Sequence, residues 1–287
     1  MRQPPAAMPA LITPFDDAGE IDLHAHRANV ATMTEAGVEG FLIGGSTGEG
    51  PYLEPGERAR LVAAARDEAP EAFLLCGLAA ESLRAALQGA AEATEGGADA
   101  MLAVTPTTLV RHRPDAVDHF YASLAEEAAL PLLLYSVPKV TAWELPTESV
   151  VALASHAAVV GMKDSGGDPV RAGEIARATP EAFRLYTGSS PVVGSCVAAG
   201  AHGAITASAN YAFGLVADAV AARVEGSDPQ LRLGEVAAAV ERHGVPGVKA
   251  AADEVGLRAG RPRRPLEEVS DTVRAEIRQT LLAADLV

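Results

Sequence analysis

At 287 residues, with 48% apolar side chains, the chain can fill one large α/β barrel core or two smaller domains. Its 38 acidic and 23 basic residues leave a formal charge of −15, the wrong sign for neutralising phosphates, which excludes nucleic acid as an expected partner. Cys76 and Cys196 lie far apart in apolar surroundings with no CxxC, and neither a secretory leader nor a run of about 18 apolar residues is visible. The chain is therefore expected to be soluble and cytoplasmic, without membrane contact and without disulfides.

The predicted elements alternate from the start. An apolar run at 8–13 precedes a helical pattern at Leu23–Ala36, and 39–43 precedes Pro55–Ala69. The runs at 73–77 and 100–104 precede Ser82–Thr94 and Asp115–Ala129, and further runs follow at 132–135, 158–163, 183–187 and 203–206. Eight strand–helix repeats suit a (β/α)8 barrel, residues 1–220. A doubly wound sheet rarely repeats so regularly, and no GxGxxG follows a first strand. Beyond 220 only helical patterns remain, near Gln230–His243, Pro246–Val255 and Leu266–Ala284. They predict a C-terminal helical extension, 221–287, packed on the barrel. The arginines from Arg258 to Arg264, interleaved with Gly and Pro, read as a solvated loop.

In such a barrel the polar residues after each strand converge on one face. The most conspicuous is Lys163, in VVGMKDSGG, one of only three lysines (with Lys139 and Lys249). A neutral amine there would attack ketones and 2-oxo acids to give a Schiff base; the bland alternative is a lysine leaving a strand. Tyr135, ending PLLLYSVP, could move protons in the same mouth or merely anchor its hydroxyl to backbone. In GGSTGE, residues 44–49, glycines turn successive N–H groups into one concavity, with Ser46 and Thr47 adding hydroxyls; such a nest suits a small carboxylate, although a plain turn has the same composition. The histidines show no metal-ligand spacing, and Asp16, Asp17, Asp164 and Asp168 read as turn and capping residues. Walker A and GxSxG motifs are absent.

Taken together, GGSTGE (44–49), VTP (104–106), YSVP (135–138), GMKDSGGD (161–168), GAITASAN (203–210) and HGVPGVK (243–249) resemble the dihydrodipicolinate synthase/N-acetylneuraminate lyase superfamily, in order and over nearly the whole chain. The resemblance implies a class I pyruvate aldolase on a TIM barrel, with Lys163 as the Schiff-base lysine and Tyr135 assisting proton transfer. It further implies that Ser46 and Thr47 bind the carboxylate of a small 2-oxo acid, that Ser165 touches the distal part of the substrate, and that Gly188 and Ile205 line its carbon chain. No metal and no organic cofactor is implied, and a homotetramer of tight dimers is.

Two departures bear on the substrate. Synthases of the superfamily usually carry TPYY where this chain has Thr107 and Thr108, and an arginine where it has Val140 after Lys139. The pairing of YSVP with GMKDSGGD, and of GVPGVK with RPRRPLEE, most resembles 4-hydroxy-2-oxoglutarate aldolases, which cleave their substrate to pyruvate and glyoxylate. Synthase-like condensation, a sugar-acid (2-keto-3-deoxy) aldolase or dehydratase, and a non-catalytic 2-oxo-acid-binding protein are the alternatives. Lys139 is expected to offset the negative overall field near the mouth.

Overall fold

The computed structural model describes residues 2–287. The chain runs β1 (Ala7–Pro9), α1 (Leu23–Glu35), β2 (Gly40–Ile43), α2 (Glu57–Glu68), β3 (Phe73–Leu78), α3 (Leu83–Glu95) and β4 (Ala100–Val104). It continues with α4 (Pro114–Glu127), β5 (Leu132–Ser136), the short α5 (Pro138–Thr141) and α6 (Thr147–Leu153), and β6 (Val159–Asp164). Then come α7 (Pro169–Ala178), β7 (Arg184–Thr187), α8 (Val193–Ala199), β8 (Gly203–Thr206) and α9 (Phe213–Ala222). Every strand pairs parallel with its neighbour, and a bridge between Ala10 and Leu42 closes the sheet, giving a (β/α)8 TIM barrel.

Strand side chains alternate between two apolar layers, as the two-residue period requires. Met8, Leu42, Leu75, Leu102, Leu133 and Ile205 fill the barrel. Ile43, Leu74, Met101, Leu134, Met162 and Leu185 face outward into the helices. Where helices begin, short polar side chains satisfy the open N–H groups: Ser82 accepts from Ala85, and Asp168 from Val170 and Arg171. Asp16 similarly accepts from the N–H groups of Ala18 and Glu20, a turn role. No helix among the described residues is long and apolar enough to cross a membrane.

Two boundaries differ from those expected. The first strand's ladder with β8 runs over Ala7–Pro9; beyond it the backbone turns to β2, with Leu11 N–H donating to Leu42 O at 2.9 Å, and Ile12 N–H is then taken by Asn210 Oδ1 at 3.1 Å. The last helix, α12 (Asp271–Ala283), starts later than Leu266 because Ser270 caps it, accepting from Val273 N–H.

After β8 the chain forms α9, then α10 (Asp228–Glu241), α11 (Gly244–Glu254) and α12. This part is tied to the barrel by charge as well as by apolar packing. Lys249 Nζ lies 2.7 Å from Glu49 Oε1, both side chains being buried, and Glu49 Oε2 accepts from Arg263 N–H at 2.7 Å. The approach of Lys249 is off the hydrogen-bond direction, so Glu49 Oε1 gains charge compensation rather than an aligned bond. Burial pushes the Lys249 pKa down, against the pull of Glu49.

Arg263 forks onto Glu57 (2.6 and 2.8 Å) and reaches the carbonyls of Gly19 and Tyr52. Phe15 lies under both cations, 4.9 Å from Lys249 Nζ and 4.2 Å from the Arg263 guanidinium. The 258–264 segment is therefore not a solvated loop at Arg263; one of its arginines is a structural clasp.

Removing one member of the buried pair strands the other. Glu49→Ala or Lys249→Met is expected to cost about 3–5 kcal/mol. Replacing both with apolar residues should cost less than the two single changes added together. Denaturant unfolding of the three variants checks this.

Candidate active site

Tyr135 and Lys163 stand side by side at the C-terminal end of β5 and β6. They are register partners, each only 4% exposed, and Lys163 Nζ lies 4.6 Å from the Tyr135 ring centroid. The pairing depends on a one-residue irregularity lower in the sheet. Leu132 pairs with Val159, but Leu133 pairs with Gly161, so Val160 is extra. Without that bulge Tyr135 would oppose Met162; with it, the lysine takes the place. Gly161 permits the step, since a Cβ there would collide with the Arg184 carbonyl.

The neighbouring loops continue the hydrogen bonding past the strand ends. Ser165 N–H donates to Ser136 O at 2.9 Å, and Gly188 N–H to Asp164 O at 2.7 Å. The Thr105 hydroxyl holds the Tyr135 carbonyl at 2.9 Å. Gly188 abuts the lysine: a Cβ there would collide with Ser165 Oγ and lie 2.7 Å from Lys163 Cε. Ile205 is fully buried in the same inner cluster as Tyr135. Asp164 faces away, its carboxylate taken by Arg171 Nε (2.7 Å) and Gly166 N–H (2.8 Å), which fixes the turn after Lys163.

Ser46 and Thr47 are half-buried in the loop after β2. The turn is closed by Glu49 N–H to Ser46 O (3.1 Å) and Gly50 N–H to Gly45 O (2.9 Å). The Thr13 hydroxyl holds it from below, through Gly48 O at 2.7 Å. The N–H groups of Ser46 and Thr47 themselves have no hydrogen-bond partner among the described residues, leaving donors for an anion.

Burial raises the Tyr135 pKa, but the Lys163 charge and hydrogen bonds from Ser165, Ser46 and Lys163 outweigh it and hold the phenol below the ordinary tyrosine range. Ser46, Ser165 and Gly188 thus gather with the Lys163 amine and the Tyr135 phenol, Ile205 shares the inner apolar cluster with Tyr135, and Thr47 belongs to the loop that carries Ser46. The TPTT turn does not join: Thr107 and Thr108 N–H groups are held by Glu81 Oε2 (3.0 and 2.8 Å), and Thr108 is exposed. The hydroxyls at the phenol are those of Ser46 and Ser165.

Beside the loop after β2 opens a cleft of about 350 Å³, walled by Ser46, Thr47, Val140, Glu241, Val245 and Leu266 among others. Lys139 is exposed and near enough for its charge to act on Glu241. Glu241 escaped the sequence analysis because it closes an ordinary amphipathic helix and belongs to no motif. Cys76 and Cys196 are buried free thiols, pushed by burial up to about 12 and about 11.

The Dihydrodipicolinate synthetase family model matches residues 4–284. A 4-hydroxy-tetrahydrodipicolinate synthase of Thiobacillus denitrificans is 32% identical, over 97% of this chain and 96% of its own. One from Natronomonas pharaonis is 30% identical over the same shares. Among solved structures, a putative dihydrodipicolinate synthase from Thermus thermophilus is 35% identical with a TM-score of 0.85, covering 98% of this chain and 99% of that one. These names do not support the likeness to 4-hydroxy-2-oxoglutarate aldolases expected from the motifs; they match the synthase alternative.

Replacing Lys163 with methionine should raise the Tyr135 pKa, because the burial that opposes the phenolate stays while the nearest cation leaves. Phenolate difference absorbance checks this. The band lost in Tyr135→Phe identifies the residue, and that band should move to higher pH in Lys163→Met.

Proposed function

Because the chain belongs to the dihydrodipicolinate synthetase family, whose members are class I Schiff-base aldolases, we propose that Lys163 condenses with a pyruvate-type 2-oxo acid and Tyr135 moves the protons. The observation that carries this assignment is the buried Lys163–Tyr135 pair, with Ser46 and Ser165 at the phenol. The Ser46 and Thr47 donors take the carboxylate, which places the C2 ketone at the amine. Gly188 and Ile205 bound the carbon chain, and Ser165 stands toward its far end.

In the cleavage direction the Lys163 amine adds to C2 of a 4-hydroxy-2-oxo acid. The carbinolamine takes a proton from Tyr135 and loses water to give an iminium. The phenolate then removes the C4 hydroxyl proton. The C3–C4 bond breaks, its electron pair moves into the iminium, and an aldehyde leaves. The remaining enamine is protonated at C3 and hydrolysed, freeing pyruvate and the lysine. With 4-hydroxy-2-oxoglutarate, the substrate suggested by the motifs, the aldehyde would be glyoxylate. The same steps reversed describe a synthase-type condensation, the second reading, which the names of the relatives favour. A homotetramer belongs to the same proposal, and sedimentation tests it.

Borohydride added to protein and pyruvate should leave a reduced adduct on Lys163, seen by peptide mass spectrometry, and none in Lys163→Ala. Tyr135→Phe should keep the fold and lower kcat by about 10²–10⁴-fold. Failure of the wild-type protein to form the adduct while still binding pyruvate would leave a binding protein instead.

A further inference from the structure

The cleft beside the carboxylate loop holds two acidic side chains of different standing. Glu49 is committed to Lys249 and Arg263. Glu241, at the end of α10, is held by one oxygen only: its Oε1 accepts from the Ser190 hydroxyl at 2.8 Å and stands 3.4 Å from the Tyr211 hydroxyl. Behind it, Ser190, Ser208 and Thr206 form a file of hydroxyls 2.9 and 3.0 Å apart, all completely buried. Buried hydroxyls are costly unless paired, so this file fixes the Glu241 carboxyl to the end of β8, close to Ile205. Its Oε2 has no hydrogen-bond partner among the described residues, on a cleft lined also by Ser46, Thr47 and Glu49 and by apolar side chains such as Val245 and Leu266.

Each kind of substrate end would meet this group differently. A second carboxylate would set another anion against Glu241 in a cleft that Glu49 also lines, and like charges that close repel. An ammonium would meet the charges of Lys139 and Lys163, both of which act on Glu241. A hydroxyl suits the site in either protonation state, donating to the carboxylate or accepting from the acid. Burial in fact raises the Glu241 pKa beyond what Ser190, Lys139, Tyr211 and Lys163 offset.

We propose that Glu241 selects the aldehyde: its free oxygen hydrogen-bonds a hydroxyl on the aldehyde-derived part of the substrate, so hydroxyaldehydes are taken and carboxylate-bearing aldehydes turned away. This rests on the aldolase proposal above, and within it disfavours glyoxylate as the partner of pyruvate.

The test is kcat/KM for addition of pyruvate to glyceraldehyde, propanal and succinate semialdehyde. The wild type should favour glyceraldehyde over each of the others by about 10-fold or more, the range of a hydrogen bond to a charged group. Glu241→Leu should erase the advantage over propanal. Glu241→Gln, which keeps the shape and an acceptor, should retain much of it while improving succinate semialdehyde. A wild type that prefers the semialdehyde, or a glyceraldehyde-to-propanal ratio unchanged in Glu241→Leu, overturns the assignment. If the wild type also forms no borohydride-trapped adduct at Lys163, the aldolase proposal falls with it; adduct formation without the preference removes only the role of Glu241.

Discussion

Burying Glu49 with Lys249 commits distant parts of the chain to one arrangement. An unpaired charge in that position would be several kcal/mol too expensive, so α11 and the segment through Arg263 must stay docked on the loop after β2. Phe15 takes both cations on its ring, and Arg263 reaches Glu57 at the start of α2. The loop held in this way is the one whose Ser46 and Thr47 N–H groups stand unpaired. Donors left open for a ligand must be immobilised by something else, and here the C-terminal extension does it from behind. Glu49 itself adopts the left-handed conformation, φ 56°, an uncommon state for a residue with a side chain, and the Lys249 ammonium and the Arg263 backbone N–H hold its side chain there.

The second constraint is register. A barrel strand points alternate side chains inward, so one residue more or less decides whether a lysine or a methionine meets Tyr135. The extra Val160 settles it, and Gly161 lets the strands close over the bulge. Above the bulge, Asp164 is drawn outward to Arg171, and this leaves Lys163 without a carboxylate partner on its own strand. The amine is thus kept for a ligand by the same local geometry that brings it to the phenol.

Much of this was legible in the sequence because it is local. The strand cores, the helix periods of α1 to α4, and the polar residues after each strand are all patterns within a few residues. After β5 the short helices α6 to α8 carry too few turns to show a period, and the first strand looked longer than it is because its apolar run continues past its ladder with β8. The site residues were visible for the same reason: Lys163, Tyr135 and the 44–49 loop each end a strand. What sequence could not show depends on contacts over long separations. Arg263 looks like its exposed neighbours until Glu57 and Glu49 are placed against it. Glu241 sits in an unremarkable helical pattern, and only the fold brings it to Ser190, Ser208 and the cleft. The bulge at Val160 has no composition of its own. The TPTT turn is held by Glu81, again across a long separation, and the hydroxyls at the phenol come from Ser46 and Ser165.

The charge on the Lys163 nitrogen links these features to the proposed chemistry. Tyr135 sits in surroundings that raise its pKa by burial and lower it through that charge together with hydrogen bonds from Ser165, Ser46 and Lys163, which jointly prevail. In the proposed cycle the nitrogen is cationic as the iminium and neutral as the enamine. While the iminium persists, the phenolate is favoured, which is the form needed to take the C4 hydroxyl proton. Once the bond has broken and the enamine is neutral, burial is no longer opposed by the charge, and the phenol is driven to keep a proton it can return to C3. The alternation requires no movement of the protein, only a tyrosine buried enough to sense one charge and close enough that the charge decides. Register sets that distance, and the bulge in β6 is what makes it short.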